Sequence, residues 1–441
     1  MNTGGQVRIE KAVYGGDGLA RLAGGKTVFV PLTLPGELVD VRVGAEKRGY
    51  AQAEATAIVE TAPERVAARC RHYGVCGGCS YQHAEYAAQV AMKRSILRDT
   101  LERAGVSAPE IALHAGPEWE YRNRVRMHFL RHGCGTEQSE AKLRLGYKQR
   151  RTNTVFALEE CPIAAQLLVR AAERLCATMQ DATWADAALE AEFSCDESES
   201  ALQIAIRVKA STKVSAAELG MMMERMELKE LRGAGVFEET VEGEAPREIA
   251  KWGAEAMQYA VGGREYRVSR GAFFQGNRFL TGKLVKLATE GRSGALAWDL
   301  YAGVGLFSVA LAEQFERVVA VEVAAAAIGD LQHNLAKAGK QHRAIAQTTL
   351  EFLERTASPS SRRPPEVIVM DPPRAGVGAA ACKLLAQVGA KELVYVSCDP
   401  VTLSRDVAGL IESGYKLHAL HLVDLFPQTF HMETVAVLKL S

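Results

Sequence analysis

Apolar and polar positions alternate in short runs over residues 5–60: Val7-Arg8-Ile9, Thr27-Val28-Phe29-Val30 and Leu38-Val39-Asp40-Val41-Arg42-Val43. Glycine turns such as Gly15-Gly16-Asp17-Gly18 separate them. A period of two marks strands with one buried face, and strands this short at this spacing predict a small antiparallel β-barrel. Residues 84–105 change period: Ala, Met and Leu with paired charges predict a helix ending near Gly105. From Tyr121 the period returns to two, with Arg122, Arg124 and Arg126 alternating with Val125, Met127 and Phe129. That gives a strand with one basic face. Residues 165–260 mix helix and strand without a chemical motif and are expected to be scaffold.

The last third reads as an open α/β sheet. Ala295–Leu300 is a strand run that breaks into Tyr301-Ala302-Gly303-Val304-Gly305 and opens a helix at Leu306-Phe307-Ser308. Val318-Val319-Ala320-Val321 ends in Glu322. Val367-Ile368-Val369-Met370 ends in Asp371-Pro372-Pro373-Arg374, and Val394-Tyr395-Val396-Ser397 ends in Cys398-Asp399-Pro400. Uninterrupted β-branched runs of this length predict buried parallel strands, and such sheets bind ligands at the carboxyl ends of their strands. An acid and a thiol therefore face one crevice. His431-Met432-Glu433 precedes a final apolar strand, Thr434–Leu438. The loop 357–365, rich in Ser, Pro and Arg, is expected to be exposed.

Composition narrows the class. At 441 residues, with 48% hydrophobic and 24% charged, the chain is globular and long enough for two or three domains. The expected divisions are 1–62, 63–260 and 261–441, with the helix near 84–115 free to pack on the last. No run has the apolar length of a membrane span and no signal peptide is evident, so a cytoplasmic, membrane-free protein is expected. The net charge of +0 argues weakly against a nucleic-acid partner, because bases gather at 65–71, 122–131 and 142–151 and acids elsewhere. The basic strands are expected to hold phosphates. Lys47, Arg48 and Tyr50 would give the barrel an edge suited to RNA.

Nine cysteines are many for a compartment where disulfides are rare. Four form a pattern: Cys70, Cys76, Cys79 and the distant Cys161, which precedes Pro162. An all-sulfur set suits zinc or an iron–sulfur cluster, and the uneven spacing is closer to a cluster than to a zinc ribbon's paired knuckles. Cys134, Cys176, Cys195 and Cys382 have no partner spacing and read as ordinary thiols.

The glycine turn at Gly303 and Gly305 lacks a third glycine, since position 308 is Ser. It therefore lacks the pyrophosphate fingerprint and suits a nucleoside without phosphates, with Glu322 placed for the ribose hydroxyls. S-adenosyl-L-methionine is such a donor. Cys398 and Glu433 complete a chemistry. Uracil carbon 5 is a poor nucleophile until a thiolate adds at carbon 6, and a base must then remove the carbon 5 proton.

These motifs resemble one family. Phe273-Phe274-Gln275, Asp299-Leu300-Tyr301-Ala302-Gly303-Val304-Gly305, Asp371-Pro372-Pro373-Arg374, Ser397-Cys398-Asp399-Pro400 and His431-Met432-Glu433-Thr434 are similar to those of the RNA 5-methyluridine (uracil-C5) methyltransferases of the RumA/RlmD type. Gly15-Gly16-Asp17-Gly18 and Leu34-Pro35-Gly36-Glu37 resemble a TRAM domain. The resemblance implies a multi-domain chain: an antiparallel TRAM/OB-like barrel, an α+β central domain and an α/β Rossmann-like class I methyltransferase domain. It implies a donor site at Gln275, Tyr301, Gly303, Gly305, Glu322 and Asp371, with Cys398 as nucleophile and Glu433 as proton acceptor. It also implies a [4Fe–4S] cluster on Cys70, Cys76, Cys79 and Cys161, and a monomer acting on 23S rRNA. Leu306, Thr349 and Ala302 depart from the family pattern, which puts a cofactor contact from the first two in question. The same chemistry on tRNA, an amino-group methyltransferase and a non-catalytic metal-containing RNA-binding protein are the alternatives.

Overall fold

The computed structural model describes residues 4–132, 142–240, 246–357 and 364–441. Cys134 and the core of the predicted Ser/Pro/Arg loop, residues 358–363, lie outside them. Among the described residues no helix is long and apolar enough to cross a membrane.

The N-terminal strands form a six-stranded sheet. Its apolar positions point one way: Val7, Val28, Val30, Val39, Val41, Val43, Ala51 and Ala53 close a small core of their own. The pairing is antiparallel except between Thr27–Pro31 and Tyr50–Glu60, which run parallel. The seven-stranded second sheet has the order Val155–Ala157, Lys142–Lys148, Arg124–His132, Ala188–Cys195, Leu202–Val208, Leu231–Glu238, Arg247–Gly253. Helices Gln166–Met179 and Ala216–Arg225 cover it, and their leucines and methionines fill its core.

The third body is an eight-stranded sheet ordered Arg343–Ala346, Phe315–Glu322, Gly294–Leu300, Val367–Met370, Glu392–Ser397, Glu433–Leu440, Tyr415–Val423, Ile111–His114. Five neighbouring strands run parallel, and Glu433–Leu440 runs antiparallel to both its neighbours. Alternation sends the central strands into two separate cores. Ile368, Met370, Leu393 and Tyr395 enter one, while Val367, Val369, Val394 and Val396 enter the other. Both faces are buried, which is why these strands read as continuous apolar runs.

The helix expected at 84–105 spans Tyr86–Arg103, and Gly105 follows with φ 74°. A left-handed residue there stops the helix without steric cost. Its Ile96, Leu97 and Leu101 are buried in the core of the eight-stranded sheet. Strand Ile111–His114, which the sequence did not reveal, joins that sheet parallel to Tyr415–Val423. The hairpin Ala256–Val261 with Arg264–Ser269 shares the sheet's other core through Met257, Tyr259 and Tyr266.

The basic strand needs correction. Arg124 pairs with Glu192 at 2.7 Å and Arg126 with the same carboxylate at 2.9 Å, while His128 faces Glu190 at 3.2 Å. The acids come from Ala188–Cys195, the adjacent strand in space and more than sixty positions away in sequence. The arginines that looked free of acids are therefore paired. Arg150 and Arg151 both bind Asp17 of the N-terminal sheet.

Candidate active site

Parallel register aligns the strand ends. Leu300 lies opposite Met370, and Met370 opposite Tyr395, so Tyr301, Asp371 and Cys398 all leave the sheet along one edge. Glu433 reaches the same place from the other direction. Ser397 is in register with Thr434, whose hydroxyl donates to the Ser397 carbonyl at 3.0 Å. The antiparallel strand thus starts where the parallel one ends, and Glu433 is delivered beside Cys398.

Electrostatics in this crevice are lopsided. Glu433 is buried, its Oε1 has no hydrogen-bond partner, and burial followed by the charge of Asp371 pushes its carboxyl well above the usual range. Burial likewise brings Asp371 up to about 7, against a hydrogen bond from Gln275 Nε2 at 3.2 Å. The Cys398 thiol is pushed up to about 12 by burial, then by Glu433 and Asp371, with Arg374 acting the other way. Burial and mutual repulsion oppose charging all three groups at once. Arg374 bonds His431 Nδ1 at 3.2 Å, and burial with that cation beside it keeps His431 neutral, down at about 3.

Asp399 begins the helix Pro400–Glu412 and accepts from the amides of Val401 and Thr402 at 2.9 and 3.0 Å. A capping carboxylate fixes the entry of that helix and so the turn that carries Cys398. Its other oxygen accepts from Tyr14 of the N-terminal sheet at 3.0 Å.

The neighbouring turn is built for close approach. Gly303 and Gly305 sit at φ 55° and 95°, with Gly305 capping helix Leu306–Ala312. Glu322, at the end of the adjacent strand, accepts from Gly303 N at 2.8 Å and from the amides of Val323 and Ala324 at 2.8 and 2.6 Å. The carboxylate is thereby aimed along the turn. Tyr301 holds φ 61°, an unusual value for a tyrosine, and its phenol meets the side chain of Thr349. Thr349 thus enters this crevice through Tyr301. Leu306 does not: its side chain is buried in the core and its carbonyl accepts from Tyr266 at 3.0 Å. All six expected donor-site residues line this one edge.

Sequence reasoning missed several contributors. Asp299, quoted only as part of a motif, is fully buried behind the turn, bonded to Ser308, with its Oδ1 unpartnered and its carboxyl raised to about 7 by burial. Arg374 sat in a quoted motif without a role. Tyr14 carried no signal except its place beside the first glycine turn.

The four expected cysteine ligands also meet. Burial raises all four thiols, and three of them feel another: Cys76 feels Cys161 and Cys70, Cys79 feels Cys161 and Cys76, and Cys161 feels Cys70. Glycine permits this, since Gly77 N donates to Lys148 O at 3.1 Å and Gly78 N donates to Cys76 Sγ at 3.3 Å. Arg122 is half-buried near them, with its Nε buried and unpartnered and its cationic form favoured, against burial, by Tyr121, Tyr147 and Cys161. Among the described residues no three His, Cys, Asp or Glu side chains converge tightly enough to hold a single ion.

The comparisons with known proteins decide the family. A model of the tRNA (Uracil-5-)-methyltransferase family matches residues 85–440, and a TRAM domain model matches residues 6–56. The chain belongs to the RNA uracil-C5 methyltransferase family. As a family member it is an S-adenosylmethionine-dependent RNA (uracil-C5)-methyltransferase with an N-terminal TRAM domain, as the motifs implied. It is 31% identical to the 23S rRNA (uracil(1939)-C(5))-methyltransferase RlmD of Azoarcus sp. (strain BH72), covering 98% of both chains. An RNA methyltransferase of Aquifex aeolicus (strain VF5) is also 31% identical, over 99% of this chain and 98% of that one. Among solved structures, the Pyrococcus abyssi tRNA (uracil-54, C5)-methyltransferase in complex with S-adenosyl-L-homocysteine shares the fold, with a TM-score of 0.73 and 22% identity over 98% of this chain and 99% of the other.

Proposed function

We propose that this methyltransferase modifies a uridine of 23S rRNA through a covalent adduct between Cys398 and uracil carbon 6. The observation that carries the reading is the opposition of Cys398 and Glu433 at adjoining strand ends, with a buried, unpartnered Glu433 oxygen facing the crevice. The thiolate of Cys398 adds to carbon 6 and the ring electrons move to the carbon 4 oxygen. Carbon 5 then takes the methyl group from the sulfonium, whose sulfur keeps the bonding pair and leaves as S-adenosylhomocysteine. Glu433 removes the carbon 5 proton, and the carbon–sulfur bond breaks as the double bond returns. Asp371, raised to about 7 and felt by the Cys398 thiol, is read as the group that takes the thiol proton near neutrality. A bound sulfonium adds one positive charge to a crevice crowded with acids, which favours the charged forms of Cys398 and Glu433 when donor is present.

For the donor, Glu322 is read as the ribose partner, Gly303 and Gly305 as the close-approach turn, and Gln275, Tyr301 and Asp371 as the remaining wall. Cys70, Cys76, Cys79 and Cys161 are read as the ligands of a [4Fe–4S] cluster: the set is all sulfur and has the cation of Arg122 beside it. Such a cluster would supply a crosslink between the segments carrying these cysteines. The chain divides functionally near residues 62 and 260, with 86–114 working as part of the catalytic body, and it acts as a cytoplasmic monomer.

Ribosomal RNA is favoured by the RlmD relatives, which match over nearly their whole length. A tRNA uridine is the second reading, favoured by the name of the matching family model. Purified enzyme is offered protein-free 23S RNA and tRNA transcripts with labelled methyl donor. Label at carbon 5 of a 23S uridine supports the first reading, and label in tRNA alone replaces it with the second.

A further inference from the structure

We propose that the N-terminal barrel is a positioning element of the active site, acting through the Tyr14–Asp399 hydrogen bond. The inference rests on the reading of Cys398 as nucleophile. The turn Val13–Asp17 is wedged into the catalytic body. The Tyr14 hydroxyl donates to Asp399 Oδ2 at 3.0 Å, and its ring meets the edge of Phe430 at 5.5 Å. Gly16 lies so near Ser80 that an added Cβ would sit 2.9 Å from the Ser80 Cβ. Asp17 is held by Arg150 and Arg151, and Lys11 binds Asp99 of helix Tyr86–Arg103.

Asp399 is the residue after the nucleophile, and its two oxygens do different things. Oδ1 caps the helix through Val401 and Thr402, and Oδ2 takes the tyrosine hydroxyl. Ser397 Oγ closes the same turn, donating to the Asp399 carbonyl at 3.0 Å. With both carboxylate oxygens bonded, the Asp399 side chain has one orientation, and the backbone of Cys398 between Ser397 and Asp399 is fixed with it. An RNA-binding module tethered beside a catalytic domain has no need of such a bond. The barrel instead completes the wall around Cys398, and its docking sets where the sulfur points.

The test is steady-state kinetics on the uridine RNA with the full-length protein. Tyr14→Phe keeps the ring against Phe430 and removes one bond to a charged acceptor, and kcat should fall about tenfold with KM for RNA within about twofold. Asp399→Asn and the double variant complete a cycle, in which the double should be no slower than Asp399→Asn alone. Arg42→Met, which removes an exposed ion pair with Glu54 inside the barrel and no contact to the catalytic body, should leave kcat unchanged. An unchanged kcat in Tyr14→Phe, a change confined to KM, or additive losses in the double variant would each overturn the proposal. The nucleophile reading is decided separately, by whether Cys398→Ala still forms the adduct with 5-fluorouracil RNA. The cycle is read from kcat on uridine and gives its answer either way.

Discussion

The edge of the eight-stranded sheet and the cysteine-bearing side of the seven-stranded sheet both hold half-buried thiols raised by burial, and they differ in the charges set beside them. Cys398 sits among carboxylates, so its neighbours reinforce burial in keeping the proton on. Cys161 sits beside the half-buried cation of Arg122, which opposes the larger effect of burial without overcoming it. The first environment holds a thiol in reserve until substrate and a cationic donor arrive. The second sets a cation beside Cys161, the kind of neighbour that the proposed ligand role would use. Burial sets the direction for both, and the charges beside each sulfur add to it or oppose it.

The largest expected effect lies at the first thiol. Cys398→Ala should lower kcat by on the order of 10⁴-fold or more, as removal of a covalent nucleophile does elsewhere, while leaving donor binding intact by calorimetry. Glu433→Gln should slow turnover by on the order of 10²–10⁴-fold and, unlike the cysteine variant, accumulate a protein–RNA complex that survives denaturing gels. Rapid turnover without accumulated complex would move proton removal to Asp371.

The second thiol set should answer in metal, not in chemistry. Anaerobically purified protein is expected to carry about four irons per chain, and Cys161→Ser should lose them with a lower melting temperature. Donor affinity should change less than about twofold, because the two sites share no ligand and distant sites act independently. Wild-type protein holding one zinc and no iron would overturn the cluster.

Legibility followed the same divide. The crevice could be read from the sequence because each parallel strand ends in its own chemical group: Asp371, Cys398 and Glu322 are local to their strands, and alternation announced those strands. Cys70, Cys76 and Cys79 were legible through spacing. What escaped depended on pairing across long stretches of chain. Strand Ile111–His114 has four residues and, among the described residues, pairs with Tyr415–Val423 alone, so its periodicity is too brief to mark it. The acids that neutralise Arg124 and Arg126 lie on another strand, and local composition made those arginines look free. Tyr14 acts across 385 positions.

A pH experiment sharpens the contrast within the catalytic body. Asp299 is buried with its carboxyl raised from 3.8 to about 7. A raised carboxyl means the native state binds more protons than the unfolded one. Its favourable contribution is therefore complete at pH below about 4 and lost as pH rises to about 7. At 1.36 kcal/mol per unit the loss is at most about 4 kcal/mol, and relaxation of the site reduces it. Asp299→Asn cannot ionise and keeps a partner for Ser308. The variant should gain melting temperature relative to wild type at pH 8 and match or fall below it at pH 5. The same offset at both values would mean that Asp299 does not titrate in this range.

The smallest expected effect tests the corrected strand. If Arg126 served a phosphate, Arg126→Ala would weaken RNA binding and reduce its salt dependence by about one counterion. Paired with Glu192 at 2.9 Å and about half exposed, it is instead a partly screened ion pair, worth roughly 0–1 kcal/mol. Removing it leaves Glu192 with Arg124, so no carboxylate is stranded. RNA affinity should stay within about twofold, the slope of binding against salt unchanged, and stability within about 1 kcal/mol. Arg48, on the barrel edge where Lys47 lies over the Tyr50 ring, is the matched comparison. Arg48→Ala should reduce the salt slope where Arg126→Ala does not. A reduced slope for Arg126 would return the strand to the RNA interface.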